Sequence, residues 1–159
     1  MNKIIKYKKT VYKYYLTETI RFLLPELKEW KEDFSGFESY FTILERYNSR
    51  NEKNEAILRI SEGYAWDGAS GPAIDTKTNM TGSLVHDVIY QVIREKKGVK
   101  NSKKLRKVAD KLLREICLAN GMCWIRAQYF YLAVRIFGGI VVGLDKKNKV
   151  YKAPACIKK

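Results

Sequence analysis

The sequence predicts an α+β domain in which a small antiparallel sheet comes first and three helices follow. Three observations carry this. Runs rich in Tyr, Val, Ile and Thr cluster before residue 64, a glycine-rich stretch interrupts the chain at 63–82, and helical periodicity dominates from there to 138. At 159 residues and 46% hydrophobic content, the chain fits one domain able to bury a core without covalent staples.

Residues 8–64 read as mainly β. Thr10 to Phe22 and Tyr40 to Tyr47 are rich in strand formers, and Ala56 to Tyr64 alternates in polarity. Between the first two, Pro25 to Phe34 reads as a helical turn or short helix. The next segment, 65–82, holds too much glycine and proline for a regular element, so it is expected to be a loop anchored to the core by Trp66 and Ile74. Such a loop is well suited to turning backbone carbonyls toward a ligand. The helical part, 83–138, divides into three patterns. The first runs from about Thr81 to Lys96, the second from Ser102 to Ala119 with Ser102 as N-cap, and the third from Met122 to Phe137, stopped by Gly138 and Gly139. A basic tail, 145–159, closes the chain.

Composition narrows the functional classes. Cys117, Cys123 and Cys156 are too few and too scattered for a disulfide framework, and no Cys-x-x-Cys pair suggests zinc, so a reducing compartment and packing roles are expected. The N-terminal segment has the charge of an export signal but lacks its apolar stretch, because lysines interrupt it. The longest apolar run, Ala127 to Leu144, contains Arg135 and two adjacent glycines. It reads as an amphipathic helix followed by a short strand or turn rather than a transmembrane segment, and a soluble protein is expected. A net charge of +14 would attract nucleic acid, an anionic phospholipid surface or an acidic protein, and it is densest from Lys96 to Lys107. A plain lysine-rich solvated surface explains the same charge. No zinc-finger or RNA-binding signature accompanies it.

The chemistry concentrates in the first helix. At about 100° per residue, Ser83, His86, Asp87, Tyr90 and Arg94 share one arc, and Val85, Ile89, Val92 and Ile93 share another. The polar arc carries the single histidine of the chain, the side chain best matched to general-base work near neutral pH. Its neighbour Asp87 points away by a helical step, so another carboxylate must orient the ring. Asp110 is the acid best placed for this, on the second helix among Lys103, Arg106, Lys107 and Arg114. Ion pairing with Arg106 and Arg114 one turn away is the competing explanation for that aspartate. Asp87 is then left for a hard cation such as calcium, which takes carboxylate and carbonyl oxygens; Asp67 and the loop from Gly63 to Gly71 could supply the rest. Trp66, Asp67 and Gly68 also suit a tight turn that needs no metal. Trp124, Tyr129, Phe130 and Tyr131 on the third helix read as core and rim aromatics or as a lipid-facing collar.

Trp-Asp-Gly-Ala-Ser-Gly-Pro-Ala-Ile-Asp at 66–75, His-Asp-Val-Ile-Tyr at 86–90 and Ala-Asp at 109–110 together resemble two groups. One is a phage-associated family classed as a domain of unknown function, with similarity over most of the chain. The other is the bacterial and fungal branch of secreted phospholipase A2, with similarity over roughly Gly63 to Leu118. The second resemblance implies that His86 activates water and that Asp110 completes a His-Asp dyad braced by Tyr90. It further implies that Asp87 and Asp67, with carbonyls near Trp66 and Gly68, hold Ca2+. The disulfides that flank the site in those secreted enzymes have no counterpart here, and no cysteine precedes His86.

Two functions are therefore expected. The first is a calcium-dependent, phospholipase A2-like hydrolase that cleaves a phospholipid ester at an anionic membrane surface. The alternative is a non-catalytic phage virion or host-interaction protein that keeps the scaffold and binds nucleic acid or a phage structural protein through its basic surface. The expected location is the bacterial host cytoplasm or the virion.

Overall fold

The computed structural model describes residues 7–8, 14–50, 52–68 and 75–144, with backbone alone at 7–8 and 139–144. The fold is α+β, with small antiparallel sheets followed by helices. Strands β1 (Tyr7–Lys8), β2 (Tyr14–Leu16), β3 (Ile20–Leu23), β4 (Phe41–Asn48), β5 (Lys53–Ile60) and β6 (Ala65–Trp66) precede helices α1 (Met80–Glu95), α2 (Ser102–Ala119) and α3 (Trp124–Leu144).

The strands form two three-stranded sheets rather than one, in the orders β1-β2-β6 and β3-β5-β4. The strand expected over Thr10 to Phe22 is accordingly split. Its first part, Tyr14–Leu16, pairs with β6, and its second, Ile20–Leu23, pairs with β5. Thr17, Glu18 and Thr19 make the turn between them, and the Thr19 hydroxyl accepts a hydrogen bond from the backbone of Glu62. In the larger sheet the period-2 pattern decides which face is buried. Phe41 and Ile43 of β4, Ala56, Leu58 and Ile60 of β5, and Ile20 and Phe22 of β3 all point into the core.

Pro25–Phe34 forms a 3-10 helix, long for its type. Pro25 starts it without losing a needed N–H, and Leu27, Trp30 and Phe34 face the sheet. The Trp30 indole donates to the Lys100 carbonyl at 2.7 Å, and the Lys100 N–H donates to Asp33 at 3.3 Å. This segment therefore stitches the sheet to the connection between α1 and α2.

Helix α1 is the centre of the molecule, with both its apolar and its polar arcs largely buried. It packs on α2, which runs antiparallel to it through Leu105, Ala109, Leu112 and Leu113. Gly82 sets the closeness of that pair, because a Cβ there would stand 2.9 Å from Cys117 Sγ and 3.0 Å from the Leu113 carbonyl oxygen. The cap of α2 is Asn101 rather than the expected Ser102. Asn101 sits in the left-handed region at φ 49°, which asparagine tolerates, and its carbonyl accepts from the backbone of Lys104 and Leu105.

Helix α3 lies against α2, with Ala127 and Phe130 packed on Leu113, Cys117 and Met122. It does not stop at Gly138 and Gly139 but continues to Leu144, so no strand or turn follows Phe137. Gly138 serves a contact instead of a termination: a Cβ on it would lie 2.5 Å from the Tyr90 hydroxyl. Among the described residues, no helix is long and apolar enough to cross a membrane. Ile74, Cys156 and the basic tail 145–159 lie outside the described residues.

Candidate active site

The site is built where α1, α2 and α3 meet. Residues 86 and 90 are one helical turn apart on α1, so their rings stack on the same face, with centroids 4.0 Å apart. Both turn toward Asp110 of α2, which is fully buried. His86 Nε2 lies 3.0 Å from Asp110 Oδ1, and the Tyr90 hydroxyl donates to the same oxygen at 2.7 Å. The other oxygen, Oδ2, accepts from Arg135 of α3 at 2.8 Å. The structure thus brings His86, Tyr90 and Asp110 together and adds Arg135 to them.

A buried carboxylate is costly unless it is paired and hydrogen-bonded. Burial alone would raise the Asp110 carboxyl, but hydrogen bonds from His86, Arg135 and Tyr90 hold it below its ordinary value. Asp110 is therefore ionised and can only accept. It follows that Nε2 of His86 carries the hydrogen and that, in the neutral ring, Nδ1 keeps the lone pair. Burial would lower the imidazole's proton affinity, yet Asp110 and Asp87 outweigh it and hold His86 above its usual value. Tyr90 is pushed well above the ordinary phenol range by burial and by the charge of Asp110, so it remains a donor.

The ion pairs with Arg106 and Arg114 that offered the competing explanation for Asp110 are not formed among the described residues. Arg106 reaches the Arg135 carbonyl at 3.2 Å, and the Arg114 guanidinium lies over the Tyr131 ring. The cationic partner of Asp110 comes instead from α3, where Arg135 stands in the sequence as an interruption of an apolar run. The signal was present all the same. Arg126 and Arg135 are the two charged residues in the α3 sequence, and a cation in so apolar a helix calls for a buried partner.

Asp87 lies on the other side of the ring, with Oδ1 3.7 Å from His86 Nδ1 and the side chain one-quarter exposed. Burial lifts its carboxyl above the ordinary range, and the charge of Asp67 adds to the rise while His86 and Arg94 oppose it. The Trp66 indole N–H donates to the Ser83 hydroxyl at 3.3 Å and ties β6 to α1. Two residues after Trp66, Gly68 has φ +77°, and a Cβ there would meet the Asp75 carboxylate at 2.6 Å. Asp75 in turn accepts from the Tyr14 hydroxyl at 3.0 Å, which closes the base of the glycine-rich loop.

The carboxylates of Asp67 and Asp87 are oxygen donors, the kind that a hard cation such as calcium takes. Among the described residues, no group of three His, Cys, Asp or Glu side chains could hold a metal, so carbonyls would have to complete the shell. Residues 69–74, the centre of the loop, lie outside the described residues.

Fold and site together define an α+β protein with a His-Asp-Tyr cluster across an antiparallel helix pair. The chain belongs to the family described as "Protein of unknown function (DUF1353)", which matches residues 41–134. No curated protein and no solved structure matches it. The family region contains His86, Asp87, Tyr90 and Asp110 and ends one residue before Arg135.

Proposed function

We propose that this protein is a calcium-dependent, phospholipase A2-like hydrolase that cleaves an ester bond of phospholipid. The observation that carries this reading is the hydrogen bond from His86 to Asp110, which leaves Nδ1 as the basic atom on the side facing Asp87. In the reaction, a water molecule attacks the ester carbonyl carbon while Nδ1 takes its proton. Asp110 stabilises the imidazolium that forms, and Tyr90 and Arg135 keep Asp110 in place. The imidazolium then returns the proton to the departing alkoxide as the ester C–O bond breaks, giving a fatty acid and a lysophospholipid. Asp87, Asp67 and the carbonyls of Trp66 and Gly68 would hold calcium. When bound, the ion supplies positive charge to the carbonyl oxygen.

Release of fatty acid from phospholipid by the purified protein, with and without a calcium chelator, tests the reading. Turnover that calcium supports and His86→Ala abolishes is the expected result. Turnover that survives His86→Ala would overturn it.

A second reading rests on the net charge of +14. It makes the chain a non-catalytic phage virion or host-interaction component that holds nucleic acid or a phage structural protein through its basic surface. DNA binding that weakens steeply with salt and ignores His86→Ala favours this reading, and no binding at low salt removes its nucleic-acid form.

A further inference from the structure

Helix α3 is apolar on two opposite sides. One side, with Ala127, Phe130 and Gly138, is buried against α2 and α1. The other carries Ile125, Tyr129, Leu132 and Ile136, spaced four, three and four apart, so the four lie in one stripe pointing away from the protein. All four are more than half exposed, as are Trp124 and Phe137 beside them. Four large exposed apolar side chains in one stripe make a face of the kind that marks an interaction surface.

Charge selects the occupant. A second copy of the chain would bring a further +14 against the first, which opposes self-association through this face. The α3 sequence contains no acidic residue. On α2, the helix it packs against, Lys103, Lys107 and Lys111 are exposed. The sequence that continues past Leu144 carries six lysines against one aspartate between 145 and 159. An apolar helix face accompanied by a polybasic segment meets the two requirements of stable but reversible attachment to an anionic bilayer: apolar insertion and electrostatic attraction.

We infer that the outward face of α3 is a docking surface for anionic membrane, with Ile125, Tyr129, Leu132 and Ile136 entering the headgroup region and the exposed lysines of α2 held by lipid phosphates. In naming a lipid surface the inference rests on the function proposed above, but docking itself requires no turnover.

The full chain is mixed in chelator with vesicles of phosphatidylcholine alone or with phosphatidylglycerol added, and co-sedimentation is measured. Tryptophan emission gives a second readout, because Trp30 and Trp66 are already buried and Trp124 is 65% exposed. Binding to the anionic vesicles with a blue shift is expected, with little binding to neutral ones. The Leu132→Glu, Ile136→Glu double variant should lose about tenfold or more of that binding while keeping its melting temperature. Equal partition onto both vesicle types, or unchanged binding of the double variant, would overturn the inference. So would a concentration-dependent dimer that the double variant dissolves, since the occupant would then be a second copy. Calcium-dependent turnover of a soluble short-chain phospholipid separates the two proposals. Docking without such turnover sinks the hydrolase reading alone, and turnover without docking sinks the membrane face alone.

Discussion

Arg135 and Asp110 form an ion pair across the contact between α2 and α3, with Nη1 2.8 Å from an oxygen of a fully buried carboxylate. Arg135 is itself about one-third exposed, so its removal should cost less than the loss of a fully buried partner. Arg135→Gln is expected to lower stability by roughly 1–3 kcal/mol. The pH dependence follows from the sign of the Asp110 shift. A carboxyl held below its ordinary value contributes stability above the usual carboxylate range, and that stability is lost as pH falls through the folded-state value. Arg135→Gln should therefore move acid unfolding to higher pH, as read by circular dichroism across a pH series.

The same network would set the pH profile of the proposed hydrolysis. His86 would act as a base only when neutral, and Asp110 and Asp87 together hold its proton affinity above the ordinary value against the opposing effect of burial. The rising limb of kcat/KM against pH should lie above about 6.5. Asp110→Asn should shift that limb to lower pH and reduce kcat by about 10²–10⁴, the range associated with loss of general-base function. A limb that stays in place in this variant would show that Asp110 does not tune the base.

Calcium should raise the melting temperature of the parent protein and have little effect on Asp87→Asn. A ligand present at a hundredfold excess over its Kd stabilises by about 2.7 kcal/mol. Differential scanning calorimetry with calcium, magnesium and chelator measures this. Equal shifts in parent and variant would remove Asp87 from the ligand set.

Gly82→Val should destabilise the fold by about 2–3 kcal/mol. The first added carbon already falls within 3.0 Å of Cys117 Sγ and the Leu113 carbonyl, and backbone on that side cannot swing away. Urea unfolding gives the value. Because the clash separates α1 from α2 one turn before His86, hydrolysis should fall further than stability alone predicts.

The two described cysteines should differ sharply toward alkylating reagents. Cys117 is buried and its thiol is pushed up to about 12, whereas Cys123 is exposed. In a Cys156→Ser background, native protein should take up one equivalent of iodoacetamide at neutral pH, at Cys123, and a second only after unfolding. Mass spectrometry of the digested protein locates the label.

Much of this was legible in the sequence because it is periodic. The polar arc of α1 places His86 and Tyr90 together at helical spacing, and Asp110 stood out as an acid among bases. The α+β order and the bounds of α2 followed from the same patterns. What escaped notice depends on contacts that spacing does not encode. The strand expected over Thr10 to Phe22 divides between two sheets, Tyr14–Leu16 pairing with β6 and Ile20–Leu23 with β5.

Gly138 and Gly139 do not end α3, for a similar reason. Glycine ends helices where nothing else constrains it, but packing against a ring also selects for a missing Cβ, and Gly138 meets Tyr90 in that way. Arg135 was visible as an oddity in an apolar run. Only the packing of α3 on α2 revealed which buried charge it neutralises. The loop was recognisable as a loop, but the closure of its base by Asp75 and Tyr14 joins residues 61 positions apart and leaves no local trace.

The 3-10 helix carries a consequence for how the chain folds. The contacts that build the site are short in sequence: His86 to Asp110 spans 24 residues and Asp110 to Arg135 spans 25. The Trp30 to Lys100 bond spans 70, and closing so long a loop costs more chain entropy before any contact repays it. The helical hairpin carrying His86 and Asp110 is thus the expected nucleus, with the Trp30 anchor expected to form late. Truncating Trp30 should accordingly speed unfolding while leaving the refolding rate almost untouched.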